Sequence, residues 1–315
     1  MIYKPPFLHQ FVHFSTIIPN RFRPVNPIGY VRKTIDTADG DFLDLDYSSI
    51  GAEKAVLLLH GLEGSSKSTY ILGLRNLLND IGFDVVAMNH RSCSGRPNKL
   101  VSSYHSGKTD DVKQVVDHLQ QSYSKVHLVG FSLGGNMALK YAGEHGNKAA
   151  LESIFAISTP CDLAGSSSNL SRIENKVYLN RFLSQLVAKA LAKTQSHPGS
   201  ALDTNAIKTC KNFYDFDDAY TAPVHGFDSA QDYYEKSSSK QFISAIQKPT
   251  LIINALNDSF LSESCYPYSE VQKNDSVTLI TPKYGGHVGF ASDFRMKQVF
   301  WHEKQILSFI LAAES

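Results

Sequence analysis

Short, unbroken apolar runs alternate along this chain with stretches in which apolar residues recur every three or four positions. Ala55 to Leu59 (AVLLL), Asp84 to Met88, Val126 to Val129, Ser153 to Ile157, Thr250 to Ala255 and Val277 to Ile280 read as strands buried on both faces of a parallel sheet. Between and after them, Thr69 to Asp80, Asp110 to Gln121, Asn136 to Gly143 and Val299 to Ala313 read as helices, with Val112, Val115, Val116 and Leu119 on one face of the second. Ahead of these, Tyr30 to Ile35 and Phe42 to Tyr47 flank Asp39-Gly40, a hairpin turn signal that opens the sheet with antiparallel strands. Alternation of strand and helix predicts an α/β fold, a mostly parallel central sheet flanked by helices with right-handed crossovers.

The alternation stops at Pro160. From there to about Lys240 the pattern is helical, with Ile173, Val177, Phe182, Leu186, Val187, Ala190 and Leu191 near helical spacing and an aromatic-rich segment from Asn212 to Lys236. The expected organisation is therefore a core in two parts, residues 1–159 with an N-terminal arm and 241–315, interrupted by a helical cap over residues 160–240. Some cap aromatics, Phe182 and Phe213 among them, are expected to line a pocket.

Composition narrows the picture. A chain of 315 residues, 42% hydrophobic, can bury one substantial core. With a net charge of +1 and mixed signs it has no basic stripe, so no nucleic-acid partner is expected. Cys93, Cys161, Cys210 and Cys265 are far apart, which suggests neither a disulfide framework nor a metal site. The first residues are broken by Pro5, Pro6 and Pro19 and hold no apolar run long enough to span a bilayer. A cytoplasmic protein without stable membrane insertion is the expectation. Phe7, Phe11, Phe14, Ile17 and Ile18 of the arm could touch a membrane, but such residues more often pack on their own domain, which is the expectation here.

The candidate chemistry centres on Gly130-Phe131-Ser132-Leu133-Gly134, a G-x-S-x-G between a strand and a helix. A sharp strand-to-helix turn lifts a serine Oγ off the sheet edge. Gly130 and Gly134 leave room in that turn, and the following helix points its N-terminal amides at a developing oxyanion. Ser132 is the candidate nucleophile and requires a base, and the base an acid. Of twelve histidines, His287 in Tyr284-Gly285-Gly286-His287 follows the last strand on what reads as a flexible loop. His302 reads as a surface or packing residue of the last helix, and His197 and His225 belong to the cap. Asp258 follows the strand from Thr250 and is the candidate acid, with Asp162, after the preceding strand, as its rival. The chain order serine, acid, histidine agrees with this assignment. Oxyanion donors are expected from the Leu133 N–H and from the loop His60-Gly61-Leu62, with the Leu62 N–H as the second donor.

The blocks His60-Gly-Leu-Glu-Gly-Ser-Ser, Asn89-His-Arg-Ser-Cys-Ser-Gly, Tyr104-His105 through Asp110-Asp111, Gly130 through Asn136, Pro249 through Asp258 and Gly285-Gly-His-Val-Gly-Phe290 resemble the α/β-hydrolase branch of YheT-type hydrolases and their eukaryotic relatives. The resemblance runs from the arm to the last helix. It implies the α/β-hydrolase fold with a helical cap, the triad Ser132, Asp258 and His287, and a serine esterase acting on short- or medium-chain acyl esters with no cofactor and no metal. His90 stands where such relatives often carry Phe. His105 and Asp110 form an H-x4-D spacing associated with acyl transfer in some relatives, but Thr109 and Asp110 read better as the cap and first-turn charge of a helix.

The expected function is cleavage of a small acyl ester through an acyl-enzyme. An acyltransferase would share that intermediate and differ in the attacking group; a peptidase or thioesterase is chemically open too. Dehalogenase and epoxide hydrolase chemistry is disfavoured, because the elbow would then carry a carboxylate. A scaffold that kept the fold and lost activity is the rival from another class.

Overall fold

The computed structural model describes residues 2–26 and 29–314. Eight strands form one sheet: β1 (Val31–Asp36), β2 (Phe42–Ser48), β3 (Lys54–Leu59), β4 (Asp84–Asn89), β5 (Lys125–Phe131), β6 (Ile154–Ile157), β7 (Thr250–Ile253) and β8 (Val277–Ile280). Their order is β1-β2-β4-β3-β5-β6-β7-β8, antiparallel at β1–β2 and β2–β4 and parallel from there on. The β1–β2 turn places Gly40 at φ 86°, a conformation glycine adopts without strain.

The helices are α1 (Val12–Phe22), α2 (Thr69–Asp80), α3 (Thr109–Gln120), α4 (Leu133–His145), α5 (Leu163–Leu170), α6 (Lys176–Ser196), α7 (Thr204–Thr209), α8 (Phe213–Phe216), α9 (Ala222–His225), α10 (Ala230–Ser237), α11 (Tyr268–Val271) and α12 (Trp301–Glu314). The apolar sides of α3 (Val112, Val115, Val116, Leu119) and α4 (Met137, Leu139) bury against one face of the sheet. Those of α2 (Ile71, Leu74, Leu78) and α12 (Ile306, Ile310) bury against the other. Both faces are covered, which is why the parallel strands are mostly apolar.

Three features depart from the sequence reading. The proline-broken arm contains a helix, α1, despite Pro19 within it. Pro19 has no N–H to offer the Ser15 carbonyl. That carbonyl lies instead against Gly289, so closely that a Cβ there would come within 2.1 Å of it. Arg23, just past α1, makes two hydrogen bonds of 2.6 and 2.8 Å to the buried Glu303 of α12 and lies over the Phe300 ring, so tertiary contacts hold a helix that local propensity disfavours. Second, the arm does not bury all of its apolar residues: Phe7, Phe11 and Ile17 face solvent, while Phe14 and Ile18 are half-buried. Third, the stripe read from Ile173 to Leu191 does not bury as a unit. Ile173 and Val177 are exposed, whereas Tyr178, Leu179, Leu183 and Ala190 are buried.

Candidate active site

Ser132 sits at the turn from β5 into α4 with φ 52° and ψ −120°, a strained conformation for a residue with a side chain. The strain is held from both sides. The Ser132 N–H donates to the Ile157 carbonyl of β6 at 2.8 Å, and its carbonyl accepts from Gly135 and Asn136. A Cβ on Gly130 would lie 2.2 Å from the Gly134 carbonyl oxygen, and one on Gly134 would lie 2.6 Å from that of Leu59. Both flanking glycines are therefore steric necessities of this turn.

The His287 Nε2 is 2.9 Å from Ser132 Oγ, and its Nδ1 is 2.8 Å from Asp258 Oδ2. An ionised carboxylate only accepts, so Nδ1 carries the proton and Nε2 is left to accept from the serine. Asp258 is buried, and its second oxygen accepts from the Phe260 N–H at 3.0 Å. The Phe260 ring lies over the imidazole with centroids 4.2 Å apart. Asp162, the rival acid, instead caps α5 by accepting from the Gly165 N–H.

The loop carrying His287 reads as flexible in the sequence but is clamped in the fold. Thr16 Oγ1 accepts from the His287 N–H, Asn20 Nδ2 donates to its carbonyl, Asn257 Oδ1 accepts from the Gly286 N–H and Ser158 Oγ accepts from the Val288 N–H. Gly286 allows α1 to approach: a Cβ there would meet Ser15 Oγ at 2.3 Å. Thr16 and Asn20 are site residues that the sequence reading missed, because a signal for α1 was masked by its prolines.

Facing Ser132 is the loop after β3. A Cβ on Gly61 would come 3.1 Å from the Ser132 Cβ, and the Gly61 N–H donates to Tyr70 Oη at 3.0 Å. Among the described residues the Leu62 N–H has no backbone or side-chain acceptor. The Leu133 N–H, at the first position of α4, has no carbonyl behind it in the helix ladder. The loop rests on two histidines, His60 and His90, whose rings are in tilted contact with centroids 4.1 Å apart. His60 Nε2 accepts from the His90 N–H at 3.1 Å, so His60 carries its proton on Nδ1, which donates to the Gly61 carbonyl; His90 Nε2 donates to the His60 carbonyl. Burial keeps both neutral, lowering His60 well below the usual imidazole range and His90 to about 4. His90 thus makes a hydrogen bond that a Phe could not. Next along, Glu63 adopts φ 52° and is buried beside Tyr104, whose Oη donates to Glu63 Oε1 at 2.7 Å, while Lys189 of α6 pairs with Oε2 at 2.8 Å.

Above Ser132 opens a cavity of about 700 Å³. Its apolar wall includes Leu170, Tyr178, Phe182, Phe213 and Phe260, which puts both aromatics anticipated from the sequence in the lining. At another part of the wall Asp217, in a short π-helical stretch, accepts from Thr221 Oγ1 and Tyr234 Oη, and burial pushes its carboxyl up to about 6. His105 is buried in tilted ring contact with His225, whereas Asp110 is exposed on the first turn of α3, so the H-x4-D pair does not converge. Among the described residues no group of three or more His, Cys, Asp or Glu side chains is arranged to hold a metal ion.

Comparison with known proteins agrees with this architecture. A family model described as the alpha/beta hydrolase fold matches residues 54–294. YheT of Escherichia coli (strain K12), which carries a provisional esterase name, is 33% identical over 301 residues, 93% of this chain and 88% of YheT. A mouse phospholipase, ABHD3, is 28% identical over 91% of this chain and 72% of its own length. The solved Pyrococcus furiosus esterase Pf2001 superposes with a TM-score of 0.61 at 17% identity, over 93% of this chain and 96% of the esterase, a likeness of fold. From the sheet order, the strained serine turn and these matches, the chain belongs to the α/β-hydrolase fold family, in its YheT-like branch, and is a hydrolase.

Proposed function

We propose that the protein hydrolyses carboxylic esters through an acyl-enzyme formed on Ser132. The observation that carries this reading is the unbroken relay from Ser132 Oγ through His287 to Asp258, at 2.9 and 2.8 Å, beneath a largely apolar cavity. Ser132 Oγ attacks the ester carbonyl as its proton passes to His287 Nε2, and Asp258 holds the imidazole in that tautomer and stabilises the imidazolium. The oxyanion receives the Leu62 and Leu133 N–H groups, each such donor contributing about 2.7–4 kcal/mol to the transition state. His287 then returns the proton to the departing alkoxide, and the alcohol leaves. A water attacks the acyl-serine by the same route, releasing the acid and restoring Ser132.

The esterase and phospholipase names of the relatives support an ester as substrate, and the cavity volume supports a short- to medium-chain acyl group. The test is covalent labelling with a fluorophosphonate, followed by turnover of p-nitrophenyl esters of increasing chain length. Wild type should label and turn over esters, and Ser132→Ala should do neither. Absence of labelling in folded wild type would leave the inactive-scaffold reading in its place.

A further inference from the structure

The cavity opens through an apolar, cationic rim that the ester chemistry does not require. Phe7 and Phe11, in edge contact with ring centroids 5.5 Å apart, are exposed, as are Ile17 and Phe22 on α1. Ile173, three residues before α6, and Val177, at its start and next to the cavity-lining Tyr178, are 80% and 74% exposed. The two elements meet where His13 Nδ1 lies 3.1 Å from Tyr178 Oη, and Ile17, Phe22 and Tyr178 all line the cavity. Ile17 and Phe22 are thus exposed within the lining itself, with Phe11 directly before α1 and Ile173 and Val177 beside Tyr178 on the adjoining element, and exposed apolar patches of this kind mark binding surfaces.

Charge identifies what covers it. Three exposed cations, Arg21, Lys67 and Arg181, line the same cavity, and none has an acidic partner among the described residues. The acids of the lining are inside: Glu63 is paired with Lys189, and Asp217 is held by Thr221 and Tyr234. Glu174, next to Ile173, is paired with Arg172. A second copy of this chain would bring an equally cationic rim against this one, and would close the mouth. An anionic lipid surface supplies the opposite charge, takes up the aromatic and aliphatic side chains, and leaves the mouth facing its own lipid esters.

We infer that this rim is a docking surface for an anionic membrane, on which the protein sits peripherally with the cavity mouth against the headgroups. The proposal goes beyond the ester chemistry, and its test does not depend on turnover. The full chain carrying Ser132→Ala is sedimented with vesicles of phosphatidylcholine alone and of phosphatidylcholine with roughly 30 mol% phosphatidylglycerol. Binding to the anionic vesicles is expected to be at least roughly tenfold tighter and to weaken with salt. Replacing Phe7, Phe11, Ile173 and Val177 with Ser, all outside the cavity lining, should lower that binding at least roughly tenfold. In the active background the same replacements should leave turnover of soluble p-nitrophenyl butyrate and thermal stability unchanged. Arg21→Gln with Arg181→Gln should reduce binding to anionic vesicles alone. No vesicle binding by wild type, or binding equal for both compositions and untouched by the Ser variant, overturns the proposal. A wild-type dimer that the Ser variant converts to monomer, without vesicle binding, also overturns it and makes the face a contact between copies.

Discussion

At the scale of single residues, the site depends on positions where no alternative side chain fits. Gly134→Ala places a methyl 2.6 Å from the Leu59 carbonyl oxygen, against backbone that leads into the loop His60-Gly61-Leu62. Relief requires β3 and α4 to part, so this variant should lose soluble expression or at least about 2 kcal/mol in denaturant unfolding. Wild-type stability would show that the turn can relax. Asp258→Asn should lower kcat by several orders of magnitude, because an amide can donate to Nδ1 and so favours the unproductive tautomer. Asp162→Asn, at a helix cap, should leave kcat within about twofold and cost at most about 1 kcal/mol of stability. The reverse ranking would reassign the acid. Trimming Phe182 or Phe213 to Ala should move the preferred acyl chain towards longer esters, and an unchanged chain-length profile would take both rings out of the acyl subsite.

At the scale of elements, α6 reaches through Lys189 to the loop that carries Leu62. Lys189 is the cation beside a buried Glu63 whose backbone is already in the left-handed region. Lys189→Met removes the charge but keeps the length, so Glu63 must turn towards water and drag its neighbour with it. The expected result is a kcat fall of roughly tenfold with KM nearly constant, the signature of a lost transition-state contact; a rise in KM alone would make the pair a purely structural brace. Much of this level was legible in the sequence. Continuous apolar runs announced β3 to β8, and the G-x-S-x-G announced its geometry through the strand before it and the helix after it, since the motif alone also fits an ordinary Gly/Ser turn. The helix α1 was not legible, because what holds it lies far away in Glu303, Gly286 and Gly289 rather than in its own residues. The exposure of Ile173 and Val177 was hidden for a related reason. A helical repeat marks apolar positions without telling which of them meet a neighbour.

At the scale of the whole molecule, histidines shut away from water make the fold sensitive to acid. Burial lowers His60 and His105 well below the usual value, His90 and His302 to about 4, and His225 to about 3. An unfolded chain takes up these protons near pH 6.5 and the folded one does not, so stability is complete above that pH and declines as pH falls towards 4. His90 alone accounts for about 3 kcal/mol at 1.36 kcal/mol per unit. Asp217, raised to about 6, offsets part of the loss, because the folded state binds its proton first. Denaturant unfolding at stepped pH from 7 to 4 should show this decline, and His302→Phe, in a pocket of Phe131, Phe290 and Phe300, should flatten it. A flat stability profile between pH 6.5 and 4 would contradict it. The contacts of α1 with the His287 loop have a further consequence, for the order of assembly on the ribosome. Tyr3 Oη donates to the Ala291 carbonyl and Thr16 holds His287, contacts that span 288 and 271 positions. During synthesis at 5–20 residues per second, α1 waits roughly 15–60 s for the loop it clamps. Ser132 is translated partway through that interval and has no imidazole beside it until His287, near the end of the chain, follows.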